Sequence, residues 1–424
     1  MKVGAKETTG WKATISVAMS NYIEAGSIIA IAVSLTAWQK QFGVGDFAIG
    51  LLAAISANAF GAAGGALIGG WLCDKYGRKF IYTYDLIVYM VGVLVAACAL
   101  SYAMLLVGFL LTGLAVGAGV PASWTYIAEE APADARGRHV GTAQLAWSIG
   151  PAVGFALAIA VVPLGLLGNR LIFAHLFVVA FVTWWLRQGL HESVAWTDEQ
   201  AQPRTGPVVG SLRGLLSHRR NVTALLFLFG VYGFWNLVAG QAGIFMPRLY
   251  SSAGLTSPSA QFALQVLVWS CTALATWFGF MRLADQMSRR TLYIIGAGMG
   301  VVAWALLSYG GGSISVLLAF AVIWGTSAGI GAQAFYSVWA SELFATRYRA
   351  TAQGVLFFAA RVAVGLLSYV FPTLLAAKGV PFVGTLMLVF LVAALVVGAV
   401  WAPSTQGMSL HDIEQERSRE RSTV

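Results

Sequence analysis

Charge is what this sequence has least of. Asp, Glu, Lys and Arg together account for 10% of its 424 residues, where a soluble domain carries roughly 25%. Length alone would suggest two or three soluble domains, but hydrophobic residues at 58% override that reading. Cysteine is scarce as well. Cys73, Cys98 and Cys271 show no CxxC spacing and no histidine cluster beside them, which argues against a disulfide framework and a structural metal. No nucleophile–base pair or ligand constellation stands out, so neither an enzyme, a metal site nor a cofactor is expected. The net charge of +9 arises from basic residues scattered between apolar stretches; they form no continuous face, and nucleic acid is not an expected partner. The first ten residues are polar and run into an apolar segment without an A-x-A pattern, so no removable signal peptide is expected.

Apolar runs are what the chain has in quantity. A helix needs about 20 apolar residues to cross a hydrocarbon core of about 30 Å. Twelve stretches qualify: 11–38, 46–72, 80–101, 104–128, 138–163, 169–187, 222–248, 259–283, 291–311, 314–340, 350–377 and 381–402. A polar segment, 188–221, containing Arg204, Arg213, Arg219 and Arg220, separates the sixth from the seventh. The expected organisation is an all-α membrane protein with an N-terminal six-helix bundle (1–187), a linker (188–221), a C-terminal six-helix bundle (222–402) and a charged tail (403–424). With both termini in the cytoplasm, 21 of the 26 Lys and Arg residues fall on the inner side. Four fall outside, namely Lys40, Arg170, Arg248 and Lys378, and Arg361 lies within a span. That bias predicts an even number of crossings with both ends inside. The lipid bilayer is the expected environment, and the chain is expected to act as a monomer.

The same charge clusters occur twice, about 212 residues apart. The first copy is Asp74-Lys75-Tyr76-Gly77-Arg78-Lys79, followed by Glu129 and Arg136-Gly137. The second is Asp285-Gln286-Met287-Ser288-Arg289-Arg290, followed by Glu342 and Arg349-Ala350. A membrane chain that repeats its loop chemistry at half-length reads as a duplicated bundle, an architecture common among secondary transporters. Gly70 permits close packing at a helix end and Gly77 a tight turn, while Asp74 can pair with an arginine or a helix N-terminus.

The run from Gly70 to Lys79 resembles the signature loop of the major facilitator superfamily. Tyr126-Ile-Ala-Glu129-Glu-Ala-Pro132-Ala-Asp-Ala-Arg136-Gly137, Glu192-Ser193 and the tail Pro403-Ser-Thr405-Gln-Gly407 to Glu414 are similar to the loops of its sugar porters. The resemblance implies the twelve-helix fold and a cytoplasmic latch, built from Gly70, Asp74, Gly77, Arg78, Glu129 and Arg136 and from Asp285, Arg289, Glu342 and Arg349, which opens as the halves rock. The chain also departs from sugar porters. Phe109 stands where they place an arginine in span four, Phe234-Trp235-Asn236 replaces their double glutamine, and Arg361 replaces a tryptophan. Arg361 together with Glu342-Leu-Phe-Ala-Thr-Arg347-Tyr-Arg349 resembles organic-acid:proton symporters instead.

Glu24 is the deepest carboxylate in any span, about 18 Å in from Lys12 at 1.5 Å per residue. Such a group marks an ion pathway by default. Its setting, Tyr22-Ile-Glu24-Ala-Gly26, resembles the family's proton-coupling site; the alternative is a structural carboxylate permanently paired with Arg361. For Arg361 three readings stand: partner of Glu24, ligand for a substrate carboxylate, or a donor to backbone carbonyls. Asp85 is a second coupling candidate or a structural partner near the cytoplasmic end, and His175 a packed histidine or a proton relay. Gln144 matches a hydroxyl-binding glutamine of sugar porters, and its amide offers both donor and acceptor. Asn21, Trp147, Asn236, Gln241, Gln333, Tyr336 and Arg361 complete the expected substrate lining, with Asn58 a further polar candidate. The resemblance implies proton-coupled uptake of a small polyhydroxylated solute, an inositol, sugar or polyol, across a bacterial inner membrane. An organic-acid:proton symporter is the alternative, and proton-driven efflux, favoured only by Gly150-Pro151, is a third.

Overall fold

The computed structural model describes residues 3–201 and 212–419. The linker residues 202–211, with Arg204, and the end of the tail lie outside the described residues. Among those described there are helices and no strands.

Ten apolar helices long enough to cross a membrane come first: Trp11–Phe42, Asp46–Tyr76, Arg78–Ala97, Tyr102–Glu130, Ala133–Val161, Leu166–Arg187, Arg219–Ser252, Pro258–Leu283, Arg289–Tyr309 and Ile314–Glu342. We number them spans one to ten. The last helical stretch, Thr346–Trp401, has 56 residues. At 1.5 Å per residue it would measure about 84 Å, far beyond one crossing. It is interrupted at Gly379, whose φ of 73° is a left-handed conformation that glycine adopts without steric cost. Spans eleven and twelve lie on either side of it, giving twelve crossings. Their packing differs accordingly: Arg361 of span eleven reaches span one, while Ala394 of span twelve accepts from the Tyr293 hydroxyl of span nine at 2.6 Å.

Without a hydrophobic drive between helices in lipid, close approach depends on small residues. Spans two and eleven meet in this way. A Cβ placed on Gly70 would lie 2.6 Å from the Ala350 carbonyl oxygen and 3.1 Å from Gly354 Cα. Spans two and four meet at Gly61, 3.1 Å by the same measure from Gly113 Cα. Large apolar side chains such as Leu100, Val178, Trp185 and Leu366 are exposed instead, the surface expected to face lipid.

Several spans are not regular. Span two breaks at residues 56–59, and span ten at Gly331. Spans seven and eight carry π-helical segments, Phe229–Gly233 and Ala275–Phe280. Such irregularities in membrane helices are tolerated where they are buried in protein or line a cavity, and π-bulges concentrate at functional sites.

Candidate functional site

The duplicated charges form two equivalent networks at the end of the molecule that carries the linker and the tail. In the first, Arg78, fully buried, donates through Nε and Nη2 to the two Glu129 oxygens at 3.0 and 2.6 Å. Arg349, from the other half, donates to the same carboxylate at 2.8 Å. In the second, Arg289 donates to both Glu342 oxygens at 3.0 and 2.8 Å, and Arg136 adds a bond across the halves at 2.9 Å.

The two aspartates act on backbone. Asp74 accepts from the amides of Ala350 and Thr351 at 3.3 and 2.7 Å, in the first turns of span eleven. Asp285 accepts from Gly137 and Arg138 at 3.2 and 3.0 Å, at the start of span five. Gly137 and Arg138 lie in the first turn of their helix, where amides lack intrahelical partners, and both aspartates sit near the positive end of a helix dipole. Gly77, at φ 99°, makes the turn that brings Arg78 back onto Glu129.

Three participants in these networks were not among the expected site residues, although their motifs were visible. Glu192 accepts from the Arg78 and Lys79 amides at 2.9 and 3.0 Å. Ser193 donates to Glu129 at 2.5 Å. Thr405 of the tail donates to Glu342 at 2.5 Å. At the opposite end the halves meet through a more exposed set, in which Arg248 bonds Asp46 at 3.0 Å and Gln39 at 2.9 Å.

Between the two ends, Glu24 and Arg361 form a buried ion pair, through Nη2 and Oε1. Arg361 Nη1 also donates to the Asn58 carbonyl and Oδ1 at 3.0 and 3.1 Å, and the guanidinium lies over the Phe357 ring at 4.5 Å. Arg361 Nε has no hydrogen-bond partner among the described residues. Of the three readings for Arg361, the geometry therefore combines two, the pairing with Glu24 and the donation to backbone. Asp85 sits apart, 3.9 Å from Arg187 and accepting from the Leu86 amide at 2.7 Å. His175 meets the Tyr22 hydroxyl at 3.0 Å.

A narrow cavity of about 10 Å³ lies beside the pair, walled by Asn58, Trp147, Asn236, Trp269 and Arg361 among others. A second, also of about 10 Å³, adjoins it and shares Trp147 and Trp269, adding Trp235, Gln265 and Trp324; each holds roughly one water in this conformation. Trp147 and Trp269 meet edge to face at 5.0 Å. Apolar aromatic walls with a few polar groups are the usual character of small-molecule sites. Among the described residues, Trp235 keeps an unpartnered indole N–H and Asn236 an unpartnered Oδ1.

The other expected lining residues are placed elsewhere. Asn21 donates to Ser123 at 2.9 Å. Gln241 is bonded to Ser368 and the Val364 carbonyl at 3.1 and 3.3 Å. Gln144 donates to the Ala328 carbonyl of span ten at 3.2 Å. Tyr336 stacks on Tyr232 at 4.0 Å with its hydroxyl unpartnered, and Gln333 is buried with Oε1 unpartnered. Trp269 and Gln265 were not foreseen. Their spacing of four puts them on one helix face, but a lone amide and indole four apart are too common in membrane helices to stand out.

Twelve crossings among the described residues, two charge networks repeated by duplication and a narrow cavity beside a buried ion pair fit a membrane transporter, not an enzyme. The chain belongs to the Major Facilitator Superfamily, whose sequence profile matches residues 13–368. The minor myo-inositol transporter IolF of Bacillus subtilis (strain 168) is 42% identical over 410 residues, covering 96% of this chain and 93% of that protein. The arabinose-proton symporter of Escherichia coli (strain K12) is 25% identical over 280 residues, 60% of this chain and 59% of that one. Among solved structures, the proton:xylose symporter XylE bound to 6-bromo-6-deoxy-D-glucose superimposes with a TM-score of 0.80 at 19% identity, covering 97% of this chain and 99% of that one. The inward open conformation of XylE from E. coli gives 0.68. At that identity the likeness establishes the fold.

Proposed function

We propose that this chain is a proton-coupled importer of a small polyhydroxylated solute, with an inositol as the leading candidate. The observation that carries the reading is the Glu24–Arg361 pair, buried beside a narrow aromatic-walled cavity between the two halves. Proton arrival at Glu24 neutralises the carboxylate and loosens its bond to span eleven, joining protonation in one half to a contact of the other. Substrate occupies the cavity between Trp147, Asn236 and Trp269, where rings cover the apolar faces of a sugar or cyclitol and amides meet its hydroxyls. The similarity to IolF supports inositol as the solute. Arg361 already holds Glu24 and Asn58, which disfavours the organic-acid alternative, since a substrate carboxylate would have to displace one of them.

The same reading assigns Gly70, Asp74, Gly77, Arg78, Glu129, Arg136, Asp285, Arg289, Glu342 and Arg349 to the cytoplasmic latch of a bacterial inner-membrane protein with both termini inside. Residues 1–187 and 222–402 are its two rocking bundles, joined by 188–221. Uptake of labelled myo-inositol into proteoliposomes under an inward proton gradient tests the proposal. A thermal-stability screen against sugars, polyols and organic acids names the substrate class, since a ligand at 100 times its dissociation constant adds about 2.7 kcal/mol. Stabilisation by carboxylates alone would overturn the polyol reading.

A further inference from the structure

The cavity wall contains a break in a membrane helix, followed at once by Gly61, where a Cβ would lie 2.5 Å from the Ile55 carbonyl oxygen. Span two stops at Ile55 and resumes at Phe60. Ser56 is extended (φ −78°, ψ −172°), and its hydroxyl donates to the Ala53 carbonyl at 2.8 Å while accepting from the Asn58 amide at 3.1 Å. The break is thus held by its own serine. Backbone freed in this way inside a membrane must find a partner, and the Asn58 carbonyl finds Arg361. The Asn58 side chain accepts from Arg361 and donates from Nδ2 to the Gly240 carbonyl of span seven at 3.1 Å. The bonds of Asn58 to Arg361 and Gly240 all cross to the other half of the molecule.

We infer that Asn58 is the positioning residue for proton loading at Glu24, its two oxygens holding the Arg361 guanidinium while the carboxylate is neutral. The inference rests on the proposed coupling role of Glu24. A guanidinium does not give up its proton in a protein, and a buried charge whose partner is removed is costly. When Glu24 takes a proton, Arg361 loses its anion. The Asn58 carbonyl and amide oxygens remain in place as acceptors, alongside the Tyr232 hydroxyl, and as neutral dipoles they do not compete for the proton. The other groups facing the pair are Trp147 from span five, Tyr232 from span seven, Tyr336 from span ten and the Phe357 ring. None of these side-chain types carries charge near neutral pH. Asn58 therefore decides how costly the protonated state is, and its bond to Gly240 ties that event to span seven.

The test compares wild type, Asn58→Leu and Asn58→Asp as full-length protein in proteoliposomes, with proton-driven myo-inositol uptake measured from pH 5.5 to 8.5. Each profile is normalised to its own maximum, so that changes in affinity or protein amount do not displace it. Asn58→Leu removes an acceptor from the loaded state, so loading needs more acid and the profile moves toward low pH by about one unit, the order expected for one lost hydrogen bond to a charged group. Asn58→Asp supplies Arg361 with a second anion, so Glu24 loads more easily and the profile moves the opposite way. A residue that merely packs would give no shift, or shifts of one sign, and either result overturns the inference. Asn58→Asp is isosteric, so the absence of its alkaline shift alone is decisive where Asn58→Leu does not fold. Glu24→Gln run alongside separates the two levels. If it retains uphill uptake, the coupling role of Glu24 fails; if it loses uphill uptake while the Asn58 profiles stay put, only the Asn58 inference fails.

Discussion

Glu129 and Glu342 hold equivalent places in the two halves, each carboxylate shared between one arginine of its own half and one of the other. Arg78 and Arg289 are the domestic partners, Arg349 and Arg136 the visiting ones. The arrangement bears on how a buried latch can open at all. Removing one member of a buried pair costs about 3–5 kcal/mol because a charge is left without compensation. Under the proposed latch role, the domestic arginine would stay with its carboxylate when the halves part, and only the visiting arginine would have to find water. Opening would then break two ion pairs and the backbone contacts of Asp74 and Asp285 without orphaning either glutamate.

Asp74→Asn tests the backbone half of that latch. The substitution keeps the shape but removes the negative charge facing the Ala350 and Thr351 amides. Hydrogen bonds to charged groups contribute roughly 1.5–3 kcal/mol each, so the closed cytoplasmic side loses a large part of its advantage. Transport should slow by at least about tenfold, since 1.4 kcal/mol is a factor of ten, while equilibrium binding of the solute changes little. A large loss of affinity at unaltered turnover would contradict the gating role.

Gly70→Ala tests the close approach beside it. The added methyl would sit 2.6 Å from the Ala350 carbonyl oxygen, a backbone atom that cannot move aside alone. Closure on the cytoplasmic side should be hindered and the inward-facing state enriched. Labelling of a single cysteine introduced near the inner mouth, in an otherwise cysteine-free background, should accelerate relative to the same cysteine with Gly70 intact. Equal labelling rates would mean that the spans have slack at this point.

The fold and the duplicated charge networks were legible in the sequence because both rest on simple counting. Apolar length sets the number of spans, Lys and Arg placement sets the expected orientation, and charges are so rare that a repeat of Asp74–Arg78 as Asp285–Arg289 stands out. The cavity was less legible. Polar residues such as Gln144, Gln241 and Asn21 serve equally well as interhelical bonds, and only the rotation of each helix decides between the two roles. Trp147, Asn236 and Arg361 reach the cavity, while Gln241 and Asn21 turn into protein and Gln144 crosses to the Ala328 carbonyl. The break at residues 56–59 escaped for a similar reason. A serine hydroxyl folds back onto local backbone there and Gly61 lets the chain pass close to the Ile55 carbonyl, but serine and glycine are both common inside apolar spans and do not ordinarily announce an interruption.

Glu24→Gln addresses coupling directly. The amide keeps the volume and an acceptor for Arg361 but cannot carry a proton cycle. Accumulation of myo-inositol against its gradient should be abolished, while exchange of labelled for unlabelled solute remains measurable. Uphill uptake at a normal rate would remove Glu24 from the proton path and turn attention to Asp85, which lies 3.9 Å from Arg187.

Arg361→Gln separates the two substrate classes. For a neutral polyol, Arg361 serves chiefly as the counter-ion of Glu24, and its loss disfavours the ionised carboxylate. Glu24 then holds its proton to higher pH, so the pH profile of uptake should move toward the alkaline side while preference among neutral solutes is kept. For a carboxylate substrate the same change removes charge-assisted hydrogen bonds of roughly 1.5–3 kcal/mol each. Affinity would then fall at least about tenfold at every pH where the substrate is ionised, because 1.4 kcal/mol is a factor of ten. The geometry favours the first outcome, since both Nη groups of Arg361 are already engaged by Glu24 and Asn58. Binding of the preferred ligand to both forms, followed from pH 5.5 to 8.5, distinguishes a displaced profile from a uniform collapse, and a uniform collapse would sink the polyol reading.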